Sequence, residues 1–342
     1  LNNIIIRVDG NQNIGLGHIY RMIALGEILT SNNDILFAVL SPTMQVRELI
    51  ESHNFNLVDI SKFYSDSDFF KQIKDTIKPE CIILDGYHFD REYQKDLKEL
   101  DYILISIDGI YSTHFYSDVI INYNFHADPN KYLKEDYTQL YLGSDYCFLR
   151  NAFLEAAKKR YIREEDPKDL TIMFGGSDQL NLTLETLSKL EKSNQIGRFK
   201  NINVICGTSY QYFDSLYSFK EEHKSIEVNI FKNLNDQELI NIFLKTALAI
   251  VPGGYSLYEI FSVGIPVVTG YYIDNQMLNA EFVERKNLGI SVGNFKEMTQ
   301  KRLDTTLEQV LNKKDLFKAN QSKIIDGKQK ERIIKIISNI CN

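Results

Sequence analysis

Among the six histidines of the chain, His18 has neighbours that could give it chemistry. It closes the run Gly15-Leu16-Gly17-His18, after an apolar stretch, Ile4 to Val8, and a polar loop that opens at Asp9. A helical period starts at the same point: Ile19, Met22, Ile23, Leu25, Ile28 and Leu29 share one broad face. Strand, glycine loop and helix start form an anion site. Glycine lets the backbone approach a phosphate, and the unpaired N–H groups of a helix N-terminus point toward it. An imidazole at that junction reaches the same ligand and exchanges protons near neutral pH. Position 20 is tyrosine, so the run is not a dinucleotide G-x-G-x-x-G, and no Gly-Lys-Ser/Thr follows as in a Walker A loop. The alternative is a plain turn.

Three later stretches have a related design. Phe174-Gly175-Gly176-Ser177-Asp178-Gln179-Leu180-Asn181 is again strand, glycine turn and helix start, with Ser177 and Asn181 placed as ligand contacts or, in the plainer reading, Asn181 as a helix cap. In Val251-Pro252-Gly253-Gly254-Tyr255-Ser256-Leu257-Tyr258-Glu259, Ser256 and nearby N–H groups suit a phosphate. Glu259, one turn on, offers two acceptors to the vicinal hydroxyls of a ribose. The same Ser256 and Glu259 also fit a capping box. Asn275, Gln276 and Asn279 crowd the start of the next helix, as sugar-hydroxyl contacts or as a solvated helix start. Asp85 and Asp108 end strands, where either could orient His18 or hold a sugar, and His88 is a second possible base. His53, His114, His126 and His223 lack such surroundings. There is no H-E-x-x-H, no other ligand-spaced cluster and no G-x-S-x-G, so neither a metal, a cofactor nor a serine nucleophile is expected.

Loops of this kind need strands to present them. The 342 residues suffice for two medium domains, and 44% hydrophobic with 25% charged residues is ordinary for a globular chain. In the first half, strands are expected at Ile4–Val8, Ile35–Leu40, Leu57–Ile60, Cys81–Asp85, Ile103–Asp108, Val119–Asn122 and Leu140–Leu142, with helices between the first five. They read as continuous apolar runs, the mark of a parallel sheet covered on both faces. A charged stretch, 153–168, reads as a linker. Alternation then resumes with strands near Leu170, Ile202, Ile226, Leu248, Pro266 and Ile290. The expected domains are 1–152 and 169–325, with a last helix in 326–342 that crosses back to the first. Two doubly wound α/β domains place ligands at strand C-terminal ends, and facing edges would make a cleft. The net charge of −7, with no basic stripe, argues against nucleic acid. Four scattered cysteines, no leader pattern and no membrane-length apolar run point to a cytoplasmic protein without membrane insertion.

Taken in order, these motifs resemble the GT-B sugar-nucleotide superfamily. Within it they look like the UDP-2,4-diacetamido-2,4,6-trideoxy-β-L-altropyranose hydrolases of pseudaminic acid biosynthesis. The resemblance is carried by Arg7-Val8-Asp9, Ile14-Gly15-Leu16-Gly17-His18 with Arg21, Leu84-Asp85-Gly86-Tyr87, Leu142-Gly143 with Tyr146 and Leu149-Arg150, Phe174 to Asp178 with Asn181, and Asn275-Gln276. The stretches from Gly253 to Glu259 and from Asn275 to Ala280 are also similar to the glycosyltransferase that completes lipid II. The resemblance implies a GT-B fold and a metal-free enzyme. His18 would activate the water that attacks C1, with inversion and loss of UDP. Gly15, Gly17 and Gly175 to Ser177 would border the diphosphate, Glu259 would hold the ribose, and Asn181 would touch the substrate. Asp9, Arg21, Asp85, Tyr87, Gly254, Ser256, Asn275, Gln276 and Asn279 would complete the binding set. Ile107-Asp108-Gly109, where many relatives have Asp-Asp, and the bulky Tyr255 depart from the pattern. Two other readings stand beside this one: an inverting glycosyltransferase with the same donor, and a non-catalytic nucleotide-sugar binder.

Overall fold

A computed structural model of the protein describes residues 2–10, 16–31, 33–159, 167–207, 209–224 and 226–341. Contacts divide the chain into two units, one of Leu1–Asn151 with Lys328–Asn342 and one of Ala152–Gly327.

In the first unit the strands are β1 (Asn2–Val8), β2 (Asn33–Val39), β3 (Asn56–Asp59), β4 (Cys81–Asp85), β5 (Ile103–Ile107), β6 (His114–Phe115), β7 (Val119–Asn122), β8 (Leu133–Lys134) and β9 (Gln139–Leu142). The helices are α1 (Gly17–Leu29), α2 (Met44–Ser52), α3 (Asp66–Thr76) and α4 (Arg91–Glu99). Seven strands form a parallel sheet in the order β3-β2-β1-β4-β5-β7-β9. β6 and β8 pair separately. The sheet is buried on both faces because its strands are apolar throughout: Ile4, Ile5, Ile6, Ile82, Ile83, Leu104 and Ile120 have no solvent exposure.

The second unit begins in α5 (Asn151–Lys159), which occupies the first half of the stretch read as a linker. Its buried Phe153, Leu154 and Ala157 give it an apolar face, and Phe153 meets Phe243. Residues 160–166 lie outside the described residues. The strands β10 (Asp169–Ile172), β11 (Ile202–Cys206), β12 (Val228–Lys232), β13 (Thr246–Pro252), β14 (Val267–Tyr271) and β15 (Ile290–Asn294) form a second parallel sheet, ordered β12-β11-β10-β13-β14-β15. Its helices are α6 (Leu182–Glu191), α7 (Phe213–Glu222), α8 (Asp236–Lys245), α9 (Ser256–Val263), α10 (Met277–Arg285), α11 (Gln300–Asn312) and α12 (Lys314–Ile324). The terminal helix α13 (Gln329–Ile340) belongs to the first unit, where it packs on α1, Arg332 meets Asp145, and Cys341 meets Cys81 of β4.

Both sheets have the same doubly wound order. The strand order reverses between β1 and β4 in the first and between β10 and β13 in the second. The crevice at the strand C-termini beside such a reversal is the ligand position of open α/β sheets. Each unit is thus a Rossmann-like domain with one switch point. Among the described residues, no helix is long and apolar enough to cross a membrane.

Two glycines are needed for different reasons. Gly264 ends α9 at φ +74 and donates to Ile260 and Phe261 carbonyls. A Cβ on Gly289 would lie 2.3 Å from Val267 Cγ2 and 2.6 Å from its carbonyl oxygen. Gly264→Ala is expected to cost about 1–2 kcal/mol through its left-handed backbone. Gly289→Ala is expected to cost about 1–3 kcal/mol through overpacking against a strand that cannot retreat. Urea midpoints of the two variants would check both, and unchanged midpoints would contradict this packing.

Candidate functional site

The first unit's switch point holds a buried charged cluster. β1 and β4 are paired so that Val8 stands beside Asp85, and α1 begins after the loop that leaves β1. His18, in the first turn of α1, is only 9% exposed, and Asp85 is fully buried. His18 Nδ1 lies 2.9 Å from Asp85 Oδ1. Arg21, one turn along α1, donates from Nε to Asp85 Oδ2 at 2.5 Å, from Nη2 to Oδ1, and from Nη1 to the Tyr123 hydroxyl at 3.1 Å. Its Nη2 is also 2.8 Å from His18 Nδ1. We assign the imidazole hydrogen to Nδ1. A buried carboxylate gains from each donor, and Arg21 already has Asp85 and Tyr123 as acceptors. Nε2 then carries the lone pair. Tyr87 meets the ring edge-on, 5.1 Å between centroids.

Burial by itself would push the Asp85 carboxyl up, but the Arg21 guanidinium and the His18 hydrogen bond outweigh it and hold it below the usual carboxylate range. Asp85 and Arg21 were expected among the substrate contacts. The structure turns both toward His18 and each other, with Asp85 fully buried and Arg21 partly exposed. Asp9 is likewise occupied. Its Oδ1 accepts from Arg7 Nη1 at 2.5 Å and from the Leu40 amide at 2.8 Å, and its Oδ2 lies 3.0 Å from His88 Nε2. Burial works against that charge, yet the bonds from His88, Arg7 and Leu40 lower Asp9 to about 2. Asp108 anchors its own loop, accepting from the Ile110 and Tyr111 amides and the Tyr132 hydroxyl. Gly17 and Tyr87 are exposed at this edge, and Gly15 lies outside the described residues.

The second unit gathers its loops at the corresponding edge. Gly175, at φ +84, and Gly176 form the turn after β10, and a Cβ on Gly207 would fall 2.4 Å from Gly176 Cα. Tyr272 donates its hydroxyl to the Phe174 carbonyl at 3.3 Å, which ties the loop after β14 to the loop after β10. A Cβ on Gly253 would fall 2.4 Å from the Gln276 carbonyl, so the loops after β13 and β14 touch through backbone.

Capping separates these loops. Asn181 was expected as a ligand contact, with helix capping as the plainer reading; at φ +50 it makes no side-chain cap bond to α6 and accepts from the Tyr210 hydroxyl at 2.6 Å. Asp178 does the capping. It is buried and accepts from the Leu182 and Thr183 amides at 2.9 and 2.8 Å. A carboxylate therefore already neutralises the N-terminus of α6. The capping box proposed for Ser256 and Glu259 does not form. Tyr255 holds the N-cap position of α9 and makes no side-chain cap bond, and Ser256 is the first helical residue. α1 also starts with no side-chain cap. By contrast, Thr43, Ser65, Asp90, Asn235 and Thr299 cap α2, α3, α4, α8 and α11. α7, α12 and α13 are uncapped as well, so a bare N-terminus marks a site only where a glycine loop leads into it.

Glu259 is nearly buried in the first turn of α9, and Gly254 and Ser256 are half-buried ahead of it. Gln276 and Asn279 were expected to meet sugar hydroxyls. Both are buried, and each makes a hydrogen bond to backbone. Gln276 Oε1 accepts from the Tyr272 amide at 3.2 Å, and Asn279 Nδ2 donates to the Gly253 carbonyl at 3.1 Å. Asn275 is exposed, Ser177 is half-buried and Gly176 is exposed. Asp178, Tyr123 and Tyr210 had no assigned role from sequence. Asp178 alone had a local signal, an acidic residue just ahead of a helix start. A cavity of about 870 Å³ bounded by Lys168, Asp169, Lys200, Asn203, Asn229 and Lys245 sits at the opposite, N-terminal edge of the second sheet and includes none of these loops. No group of three or more His, Cys, Asp or Glu able to hold a metal occurs among the described residues.

The lowered Asp85 carboxyl stabilises the fold above the pKa it has when unfolded, about 3.9, and that stabilisation is lost as pH falls through the folded value. Asp85→Asn leaves Arg21 buried without its anion and is expected to cost about 3–5 kcal/mol at pH 7. The gap between variant and parent should narrow below about pH 4. Urea unfolding across this range checks both, and a gap independent of pH would contradict the ion cluster.

A family model described as UDP-glucoronosyl and UDP-glucosyl transferase matches residues 231–328, which include the Gly253–Glu259 and Asn275–Asn279 stretches. The chain is 32% identical over 277 residues to the uncharacterized protein MJ1062 of Methanocaldococcus jannaschii, covering 78% of this chain and 55% of that protein. It thus spans about half that relative's length. It is 27% identical over 247 residues to UDP-2,4-diacetamido-2,4,6-trideoxy-β-L-altropyranose hydrolase of Campylobacter jejuni, covering 70% of this chain and 84% of the hydrolase. In three dimensions it is similar to the crystal structure of Acinetobacter baumannii MurG, with a TM-score of 0.69 and 11% identity over 99% of this chain and 100% of that one. That likeness establishes the fold, two Rossmann-like domains of the GT-B class. With the same doubly wound order in both sheets, the chain has the GT-B fold, and over 70% of its length it is similar in sequence to a UDP-sugar hydrolase.

Proposed function

We propose that the protein hydrolyses a UDP-linked diacetamido-trideoxyhexose, UDP-2,4-diacetamido-2,4,6-trideoxy-β-L-altropyranose or a close relative, to the free sugar and UDP. This is a step of nonulosonic, that is pseudaminic, acid biosynthesis. The observation that carries the proposal is the Asp85–His18 pair at the first unit's switch point; with the hydrogen assigned to Nδ1, Nε2 is the basic atom of the ring. Nε2 takes a proton from water as the water oxygen bonds to C1 from the face opposite the nucleotide. The C1–O bond breaks, its electron pair stays on the β-phosphate oxygen, and the sugar inverts at C1. The imidazolium that forms is stabilised by Asp85.

The second unit holds the nucleotide in this reading. Gly254 and Ser256 lead into α9, whose N-terminus no side chain caps, and it receives the diphosphate, while Glu259 accepts from the ribose hydroxyls. Gly175, Gly176 and Ser177 border the diphosphate through the loop's own amides, since Asp178 occupies the helix that follows. UDP is a good leaving group, and helix dipoles meet its developing charge, so the reaction is proposed to need no metal. The match to UDP-glucoronosyl and UDP-glucosyl transferases favours a second reading, in which a sugar or lipid hydroxyl replaces water.

UDP release from such a donor, followed by phosphorus NMR without any acceptor, is expected for the native chain. His18→Ala is expected to slow it by about 10²–10⁴-fold, the span of one positioned base. An unchanged rate in that variant would remove His18 from the chemistry. Release only after an acceptor is added would establish the transferase reading.

A further inference from the structure

A second carboxylate–imidazole pair stands at the same sheet edge and has no part in that mechanism. Asp9 follows β1, and His88 lies in the loop that leaves β4. His88 Nε2 is 3.0 Å from Asp9 Oδ2. Asp9 is fixed in turn by the Leu40 amide and by Arg7, a fully buried guanidinium. Arg7 Nε donates to Asp66 Oδ2 at 2.9 Å, and that oxygen also accepts from the Tyr93 hydroxyl at 2.8 Å.

The imidazole is held on its other sides as well. It lies against Phe89, 4.0 Å between ring centroids. A Cβ added to Gly86 would come 2.7 Å from His88 Cε1 and 3.0 Å from Nδ1, so glycine leaves the room that the ring uses. Yet 48% of the side chain faces solvent. Tyr87, the residue between, meets the His18 ring, which ties both histidines to one edge. A side chain this constrained and this exposed is organised in advance for a ligand.

The hydrogen-bond pattern sets the kind of ligand. Ionised Asp9 only accepts, so Nε2 of the neutral ring carries the hydrogen and Nδ1 offers a lone pair. This is the reverse of His18, which gives Nδ1 to its carboxylate and keeps Nε2. We infer that His88 is a substrate-selecting residue whose Nδ1 accepts a hydrogen bond from an acylamino N–H of the sugar. The inference rests on the sugar-nucleotide reading above but not on whether water or an alcohol attacks C1. Its force comes from the asymmetry of such contacts: a site built to accept a hydrogen bond rejects a ligand that lacks the donor.

The test is a cycle of two changes on the full chain. UDP-diacetamido-trideoxyhexose and its analogues N-methylated at either acetamido group, which keep the carbonyl and lose the N–H, are titrated by calorimetry into native protein, His88→Ala and His88→Gln. One of the N-methylations is expected to weaken native binding about tenfold, and to cost His88→Ala less than about twofold. His88→Gln, whose amide oxygen still accepts, should recover part of the discrimination. Nitrogen-15 spectra of the native imidazole are expected to show the hydrogen of His88 on Nε2. Equal binding of parent and analogues by the native chain, an undiminished preference in His88→Ala, or a hydrogen on Nδ1 would each overturn the inference. Absence of UDP release, with the binding cycle intact, would instead count against hydrolysis alone.

Discussion

The structure of the first unit turns on one buried charge, the carboxylate of Asp85. It ends β4 with no contact to water, where an unpaired charge is costly. Its partners all come from elements that must meet there: His18 and Arg21 from the first turns of α1, and Tyr123 behind Arg21 from the end of β7. The sheet order supplies this meeting. β1 and β4 are neighbours only because the winding reverses between them, and α1 leaves β1 at that point. Charge, topology and imidazole orientation are one constraint here. A slip of β4 by one residue would turn Asp85 to the other face and leave Arg21 unmatched.

The second unit shows how the same loop design is given two uses. After β10 the glycine turn is followed by Asp178, which occupies the amides of the next helix. After β13 the turn leads into α9 with no acidic cap ahead of it. Both loops follow strands that flank the switch point, but the helix after β10 is capped by a carboxylate and the one after β13 has no side-chain cap. The loops are held in register by close backbone approach, Gly207 on Gly176 and Gly253 on Gln276, and by the side-chain bonds of Tyr272 and Asn279. This is why glycines, and not merely small residues, recur in them.

Much of this was legible in the sequence because parallel strands covered on both faces must be apolar throughout. The runs at Ile4, Cys81, Ile103, Ile202 and Leu248 left few other readings. The glycine loops followed, since each sits directly after a strand. α5 and α12 were not legible. Each is short, and the charged stretch after α5 and the polar residues around Phe317 obscure the few buried apolar positions. The plainer reading, capping of α6 by Asn181, does not hold, because both Asp178 and Asn181 have the right chemistry and Asp178 makes the bonds. Their backbone angles decide, and those depend on how the turn lies against Gly207 and Tyr210. The roles of Gln276 and Asn279 depended on a carbonyl and an amide far from them in the chain or hidden in the turn. Asp9, Arg21 and Asp85 were read as substrate contacts, and the partners that occupy them, Arg7 and His88 for Asp9 and His18 for the other two, are supplied only by the fold.

The central claim is that an imidazole held by Asp85 delivers water to an anomeric carbon. Turnover of the UDP-diacetamido sugar in oxygen-18 water tests it most directly. The account requires one heavy oxygen in the released sugar at C1, none in UDP, and loss of the labelled product in His18→Ala. Heavy oxygen in the phosphate of UDP would mean that phosphorus, not carbon, is attacked, and would contradict it.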